Sequence, residues 1–189
     1  MPVIKNKKIV ISGGPGSGKT TLINLLRDRG YTCFSEFSRV LINSAQKKGE
    51  INIFKSQPDF FSEEVWKGRK LQFKNSQLSE GKNKNSFIFF DRGLHDVVAY
   101  LECTGVHYDP QKYNLSDFRY DMVILLPPWK AIYTKDKERN ESFDEAENLY
   151  FYIRNTYQKN NIPIVEIPFQ CPEVRISTLL NYLFDEKTG

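Results

Sequence analysis

Short apolar runs alternate along this chain with longer stretches in which apolar residues recur every three or four positions. Continuous apolar runs are typical of strands covered on both faces, and the longer period is typical of amphipathic helices. Such runs predict strands at residues 8–12, 31–35, 87–90, 121–126 and 162–167. Helices are expected at residues 20–29, 36–48, 58–80, 94–103, 144–159 and 172–184. This rhythm predicts an α/β fold with a parallel sheet sandwiched by helices.

Three polar stretches interrupt the rhythm, at residues 49–58, 104–120 and 129–143. Because a strand or helix resumes after each one, we interpret them as active-site loops or a lid rather than as linkers. A chain of 189 residues is long enough for one substantial core and too short for two ordinary domains. We therefore expect a single domain over residues 1–189, with a lid at about residues 129–143.

Composition narrows the class of protein. Hydrophobic residues make up 40% of the chain, which excludes the disordered class. A net charge of +4 suits an anionic small molecule and falls short of a nucleic-acid-binding signature. The three cysteines lack CxxC spacing, which argues against a disulfide framework or a zinc site and favours a reducing compartment. Since no signal peptide or membrane-spanning run of about 20 apolar residues is evident, we expect a soluble, cytoplasmic protein.

A glycine-rich segment follows the first predicted strand and precedes the first predicted helix. Residues 13–20, GGPGSGKT, match the pattern GxxxxGK[ST], which needs this strand and helix context. Glycines let backbone N–H groups turn toward phosphate oxygens, and the following helix favours an anion at its start. Lys19 is expected to reach the β- and γ-phosphates of ATP, and Thr20 to ligate Mg²⁺. The predicted nucleotide-binding residues are Gly13, Gly14, Pro15, Gly16, Ser17, Gly18, Lys19, Thr20 and Thr21.

A carboxylate stands where a second metal ligand is expected. Ligands of open parallel sheets gather at the carboxyl ends of strands, and Asp91 ends the run FIFF. We predict that Asp91 binds Mg²⁺ with Thr20, and that Arg92 binds phosphate or counters charge that develops during transfer. The structural alternative is a helix-capping aspartate with an ordinary ion-paired arginine.

Glu36 follows the second predicted strand, with Arg39 one helical turn later. A carboxylate there could orient a hydroxyl acceptor and take its proton, whereas a phosphate acceptor would need arginines instead. The alternative is an acid that only stabilises the start of a helix. In the predicted lid, Arg139 is our candidate for the cation that closes over the transferred phosphoryl group, although an exposed helix of mixed charge would read similarly.

Several segments together resemble a known family. They are GGPGSGKTTL, the step from Glu36 to Arg39, FFDRGLHDVVAYL, VILLPPW, Asp136 with Arg139-Asn140-Glu141, and IPFQCPEVRI. They cover nearly the full length. The pattern is similar to the P-loop kinase-like ATP-binding proteins of the AAA-type ATPase domain family, which are related to nicotinamide riboside kinase domains and to nucleoside and nucleotide kinases. The loop alone also resembles that of adenylate kinases, although Thr21 stands where those enzymes have glycine.

The resemblance implies a P-loop NTPase fold: a three-layer α/β/α sandwich on a five-stranded parallel sheet of order 2-3-1-4-5, with a helical lid after the fourth strand. It also implies that residues 168–175 lie near the nucleotide base. By similarity, Asp91 and Arg92 match the Asp-Arg pair of thymidylate-kinase-like enzymes. Glu36 matches the position that supplies the base in nucleoside kinases.

These features favour an ATP- and Mg²⁺-dependent phosphotransferase acting on a small hydroxyl acceptor of nucleoside-like shape. One alternative is a nucleoside monophosphate kinase, with Arg39, Arg69 and Arg92 on the substrate phosphate. Another is a non-catalytic sensor of ATP or GTP, although a guanine-specific switch is disfavoured because no NKxD motif occurs. A polynucleotide kinase would use the lysine face of helix 58–80, and the weak basic balance argues against it. No motif in the sequence specifies an oligomeric state.

Overall fold

The centre of the fold is one sheet of parallel strands. The computed structural model describes residues 6–50, 53–78, 87–132 and 142–185. Its strands are β1 (Lys7–Gly13), β2 (Thr32–Phe34), β3 (Phe87–Asp91), β4 (Met122–Leu126) and β5 (Ile164–Glu166). All four neighbouring pairs are parallel, and the spatial order is β2-β3-β1-β4-β5. The predicted five-stranded sheet of order 2-3-1-4-5 is therefore confirmed.

Successive side chains of each central strand enter different hydrophobic clusters. In β1, Ile9 and Ile11 lie in one cluster and Val10 lies in the other. In β3, Phe89 and Phe90 divide in the same way. Side chains of a strand alternate between faces, so the two clusters are the two sides of the sheet. Burial on both sides explains why these strands read as continuous apolar runs.

Helices cover both faces. They are α1 (Lys19–Asp28), α2 (Phe37–Lys47), α3 (Ile53–Ser56), α4 (Pro58–Leu78), α5 (His95–Thr104), α6 (Phe143–Lys159) and α7 (Pro172–Asp185). Residues of α1 and α7 pack in the cluster on one side of the sheet, and residues of α2, α4, α5 and α6 pack in the other. The predicted three-layer α/β/α sandwich is confirmed.

The structure refines two loop predictions. Within residues 49–58, α3 forms a short helix over Ile53–Ser56, where the sequence suggested a loop. This four-residue element is too short to show a recognisable apolar period. Of the predicted lid, residues 129–132 and 142–143 are described, and they include a 3₁₀ turn at Lys130–Ile132 and the start of α6. The remaining positions, with Arg139, lie outside the described residues.

The lysine face and the tryptophan of α4 make ordinary structural contacts. Lys67 pairs with Glu63 and Glu64 at 2.9 Å on an exposed face, as expected for a solvated stripe. Trp66 is buried beside Tyr113 in the core rather than displayed to a ligand. Across the described part of the chain, none of the helices combines the length and apolar character needed to cross a membrane.

A buried histidine lies where α5 packs on α6. His95 is fully buried, and its ring stacks on Tyr157 with centroids 4.9 Å apart. Neither ring nitrogen has a hydrogen-bond partner within the described residues. Burial lowers the pKa of His95 to about 4, so the neutral ring acts as a packing residue at neutral pH.

This burial predicts a pH-dependent loss of stability. Between pH 6.5 and 4, His95 is protonated in the unfolded chain but stays neutral in the folded protein. The free energy of unfolding therefore falls as the pH falls through this range, by at most about 3 kcal/mol. His95→Phe should remove this contribution, measured by urea denaturation across the same pH range. His107→Phe, at an exposed position, is the matched control and should keep the wild-type slope. Equal slopes for all three proteins would contradict this account.

The two-sided core also sets the cost of truncating its side chains. Leu26 of α1 is fully buried, whereas Leu71 of α4 is 59% exposed. Leu26→Ala should lower the free energy of unfolding by about 2–5 kcal/mol because it removes buried contacts and leaves a cavity. Leu71→Ala should change it by less than about 0.5 kcal/mol. Chemical denaturation of both variants checks the difference.

Candidate active site

The glycine-rich loop joins the end of β1 to the start of α1. Gly18 immediately precedes the helix and has a φ of 86°, a left-handed conformation that a residue with a side chain rarely adopts. A Cβ there would also lie only 2.9 Å from Nη1 of Arg175. Residues Pro15–Thr21 line one end of a cavity of about 360 Å³. The loop therefore presents backbone and the start of a helix to the cavity, which suits an anion.

Lys19 is buried at this end of the cavity. Its Nζ donates to the carbonyl of Gly14 at 2.7 Å and to Oγ of Ser17 at 3.2 Å. Burial, with the charge of Arg92, lowers the pKa of Lys19 to about 7. A bound phosphate would favour the charged form, so the side chain is well placed to respond to an anion.

Glu36 occupies the position before α2, but its side chain makes no capping hydrogen bond. Its Oε1 instead accepts from Nε of Arg92 at 2.8 Å, and its Oε2 accepts from Nε of Arg39 at 3.1 Å. Burial raises the pKa of Glu36, but the positive charges of Arg92, Lys19, Arg69 and Arg39 together outweigh it and hold the pKa well below its usual range. The carboxylate therefore lies at the start of α2 without a capping hydrogen bond, and it lines the cavity.

Arg92 is held in an unusual backbone conformation. Its φ is 70°, although it is not glycine. The guanidinium lies between two carboxylates, with Nε bonded to Glu36 and Nη1 at 3.3 Å from Oδ1 of Asp96. Since both partners are acidic and all three side chains are largely buried, the group forms a compact charge network on the cavity wall.

Asp96 is a site residue that the sequence interpretation missed. It accepts hydrogen bonds from the hydroxyl of Ser12, from the hydroxyl of Tyr157 at 2.7 Å and from the backbone N–H of Gly93 at 2.9 Å. Burial raises its pKa, but Arg92 and these donors outweigh burial, so the pKa is lowered. No helical spacing rule marks Asp96, because Arg92 lies outside α5 and their ion pair depends on the backbone between them.

Asp91 and Thr20, the predicted metal ligands, differ in their hydrogen bonding. Oδ1 of Asp91 is buried and has no hydrogen-bond partner among the described residues. Burial and the charge of Glu36 raise the pKa of Asp91 to about 6, a penalty that a cation would relieve. Asp91 does not cap α5, whose N-cap is Leu94. The Thr20 hydroxyl accepts from Nη2 of Arg39 at 3.2 Å.

The donors present fit a magnesium ion that is shared with a nucleotide. In the described part of the chain, no group of three or more His, Cys, Asp or Glu side chains is placed to hold a metal. Mg²⁺ is commonly held by one or two protein oxygens together with phosphate oxygens and water. The unpartnered oxygen of Asp91 and the hydroxyl of Thr20 meet that requirement. No further protein ligands would be required, because phosphate and water oxygens would complete the coordination of the ion.

Part of the cavity lining is apolar. Phe61 and Val65 of α4 line it together with Val97 of α5. Two polar atoms on the same wall lack partners among the described residues: Oγ of Ser62 and Nε of Arg69, both buried. Nη1 of Arg69 donates to the carbonyl of Gly93 at 2.8 Å, which fixes the side chain. This part of the lining therefore combines apolar side chains with two residues whose buried polar atoms have no partner among the described residues.

The predicted site residues are largely brought together. Glu36, Arg39, Arg92 and Lys19 line the same cavity, whereas Asp91 is not among its lining residues. Asp96 and Ser62 also line it, and Arg175 bonds the loop from another side. The resemblance places residues 168–175 near the nucleotide base, but no local pattern predicted the bond from Arg175 to Ser17, which is 158 residues away. The roles assigned to these side chains, and to Arg139, stay predictions.

Comparison with solved structures identifies the same architecture. Deoxyadenosine kinase from M. mycoides with bound dATP matches with a TM-score of 0.65 and 19% identity, over 94% of this chain and 99% of that chain. Thymidylate kinase from Candida albicans matches with a TM-score of 0.57 and 16% identity, over 97% of this chain and 93% of that chain. At these identities the likeness shows a shared fold.

Sequence comparison gives a family. No curated protein matches the sequence. The family described as AAA domain matches residues 8–175, which include the glycine-rich loop, Glu36, the Asp91-Arg92 pair and Arg175. Because the match spans most of the chain, the protein belongs to the AAA domain family.

Proposed function

We propose that this protein is an ATP- and Mg²⁺-dependent phosphotransferase that acts on a small hydroxyl acceptor of nucleoside-like shape. The observation that carries the proposal is one cavity of about 360 Å³ that is lined both by the loop residues Pro15–Thr21 and by Phe61 and Val65 of α4. Glu36 and Arg92 line the same cavity. A phosphate-binding end and an acceptor pocket in one cavity suit direct transfer between two bound molecules.

The loop and Lys19 would hold the phosphates, and Thr20 and Asp91 would hold the metal. When bound, MgATP supplies the phosphoryl group and the cation that neutralises its oxygens. Arg92 lies on the cavity wall and adds a fixed positive charge there. In this proposal, Arg139 of the predicted lid supplies the cation that closes over the transferred phosphoryl group.

Glu36 would orient the acceptor hydroxyl. Among the described residues, its Oε2 accepts one hydrogen bond, from Arg39, whose side chain is 42% exposed. A carboxylate oxygen can accept more than one bond, so an acceptor hydroxyl could donate to it. Phosphoryl transfer through a loose transition state demands little prior deprotonation. The low pKa of Glu36 is therefore compatible with an orienting role.

The apolar wall supports a nucleoside-like acceptor. A flat base would bury its faces against Phe61 and Val65, and its polar edge could satisfy Ser62 and Arg69. Satisfying buried polar atoms favours a ligand that carries complementary groups and disfavours one that lacks them. The M. mycoides deoxyadenosine kinase, which has the same fold, binds dATP.

One observation favours a second candidate, a nucleoside monophosphate kinase. Arg39 and Arg69 both line the cavity, and Nε of Arg69 has no partner in the described residues. Arginine is well suited to bind phosphate through two parallel hydrogen bonds. The fold shared with thymidylate kinase from Candida albicans is compatible with this alternative.

A substrate panel separates the two candidates. Purified protein with MgATP is supplied with single nucleosides or single nucleoside monophosphates, and ADP release is followed by a coupled assay. We expect turnover with at least one nucleoside because Glu36 is available to a hydroxyl. Turnover with monophosphates alone would replace the first candidate with the second.

Variants of the three main residues test their roles. Glu36→Gln should lower kcat by about 100- to 10,000-fold with little change in ATP affinity. Asp91→Asn should weaken the dependence on Mg²⁺, and Lys19→Ala should abolish ATP binding. Glu50→Gln, at an exposed glutamate, is the control and should retain wild-type activity. Unchanged activity in both carboxylate variants, with ATP binding lost in Lys19→Ala, would indicate a nucleotide sensor instead.

A further inference from the structure

Arg175, in the first turn of α7, is a buried arginine that has no carboxylate partner among the described residues. It is 4% exposed, and its Nη1 donates to the backbone carbonyl of Ser17 at 2.8 Å. Its Nε and Nη2 have no hydrogen-bond partner in the described part of the chain. Buried arginines are usually paired with acids because an unpaired buried charge is costly.

This arrangement does not favour folding by itself. Burial lowers the pKa of Arg175, which reports how poorly its charge is solvated. One bond to a neutral carbonyl leaves two nitrogens unsatisfied, and each unsatisfied buried donor costs free energy. A residue that lowers stability and yet contacts a binding loop is typical of a functional site.

The bond to Ser17 has a geometric consequence for the loop. No peptide bond of the described chain is cis, so the Ser17 carbonyl and the Gly18 N–H point in opposite directions within their shared peptide plane. Ser17 and Gly18 line the cavity, whereas Arg175 is not among its lining residues. A carbonyl drawn toward Arg175 therefore leaves the Gly18 N–H directed toward the cavity.

We propose that Arg175 is a positioning residue of the nucleotide site, which holds the Ser17–Gly18 peptide with its N–H toward the bound phosphates. Its positive charge, which no acidic side chain among the described residues pairs, is balanced by the negative charge of the triphosphate. This inference rests on the proposed function only in taking a nucleoside triphosphate as the ligand. It is independent of the acceptor and of phosphoryl transfer.

The proposal predicts opposite effects on stability and on binding. Arg175→Met replaces the guanidinium with an apolar side chain that the buried position accepts, so the Tm of the nucleotide-free protein should stay the same or rise. The same change removes a hydrogen bond from a charged donor to the loop, so affinity for MgATP should fall by about 10- to 100-fold. A residue with a purely structural role would lower the Tm when replaced.

The experiment measures binding by isothermal titration calorimetry with MgATP and, separately, with inorganic tripolyphosphate. The control is Arg29→Met, because Arg29 also donates from Nη1 to a carbonyl, that of Leu25, at the far, exposed end of α1. We expect both ligands to bind the control as they bind the wild type and to bind Arg175→Met more weakly. In ¹⁵N spectra of the nucleotide-free protein, the Gly18 amide should shift in Arg175→Met and not in the control.

Affinity of Arg175→Met within threefold of the wild type would overturn the inference, as would an unmoved Gly18 resonance. If Arg175→Met fails to fold, Arg175→Gln and Arg175→Lys are measured in the same way. Glutamine retains a donor without the charge and lysine retains the charge without the planar fork, and both should bind MgATP more weakly than the wild type. If the wild type binds MgATP but phosphorylates no acceptor, the kinase proposal fails while the Arg175 inference is still decided by binding.

Discussion

The charge network around Arg92 is the constraint on which the geometry of the candidate site depends. Arg92 has a φ of 70°, a conformation that costs an ordinary residue about 1–3 kcal/mol. Its guanidinium is held by Glu36 at the start of α2 and by Asp96 on α5. Asp96 in turn receives the hydroxyls of Ser12 from β1 and Tyr157 from α6. Four elements of the fold therefore meet through Arg92 and its two carboxylate partners, and the loss of Glu36 or Asp96 would leave Arg92 with only one of them.

Burial disfavours the charged forms of one basic and one acidic side chain of the candidate site, Lys19 and Asp91, of which only Lys19 lines the cavity. Burial lowers the pKa of Lys19 to about 7 and raises that of Asp91 to about 6, so each group is disfavoured in its charged form. Phosphate would favour charged Lys19, and a divalent cation would favour charged Asp91. Arg175 adds a positive charge that has no acidic partner in the described residues. The nucleotide-free site is therefore organised for ligands at the expense of its own stability.

Local patterns in the sequence predicted most of the fold, because strands buried on both faces read as apolar runs and the glycine-rich loop has a fixed spacing. They also placed Glu36 and Arg92 at strand ends, where parallel topology brings them together. They missed α3, which is shorter than the period that reveals a helix. They could not identify Arg175, since its bond to Ser17 spans 158 positions and depends on the packing of α7 beside α1. The role of Asp96 likewise depends on contacts from β1 and α6 that no local spacing encodes.

The central claim is that the γ-phosphoryl group of ATP moves to a hydroxyl bound beside Glu36. ³¹P NMR of the purified protein with MgATP and an equimolar set of nucleosides follows that phosphorus atom directly. The account predicts that the γ-phosphate signal decays while a phosphomonoester signal grows at the same rate. Decay into inorganic phosphate alone, or no decay until nucleoside monophosphates are supplied, would contradict it.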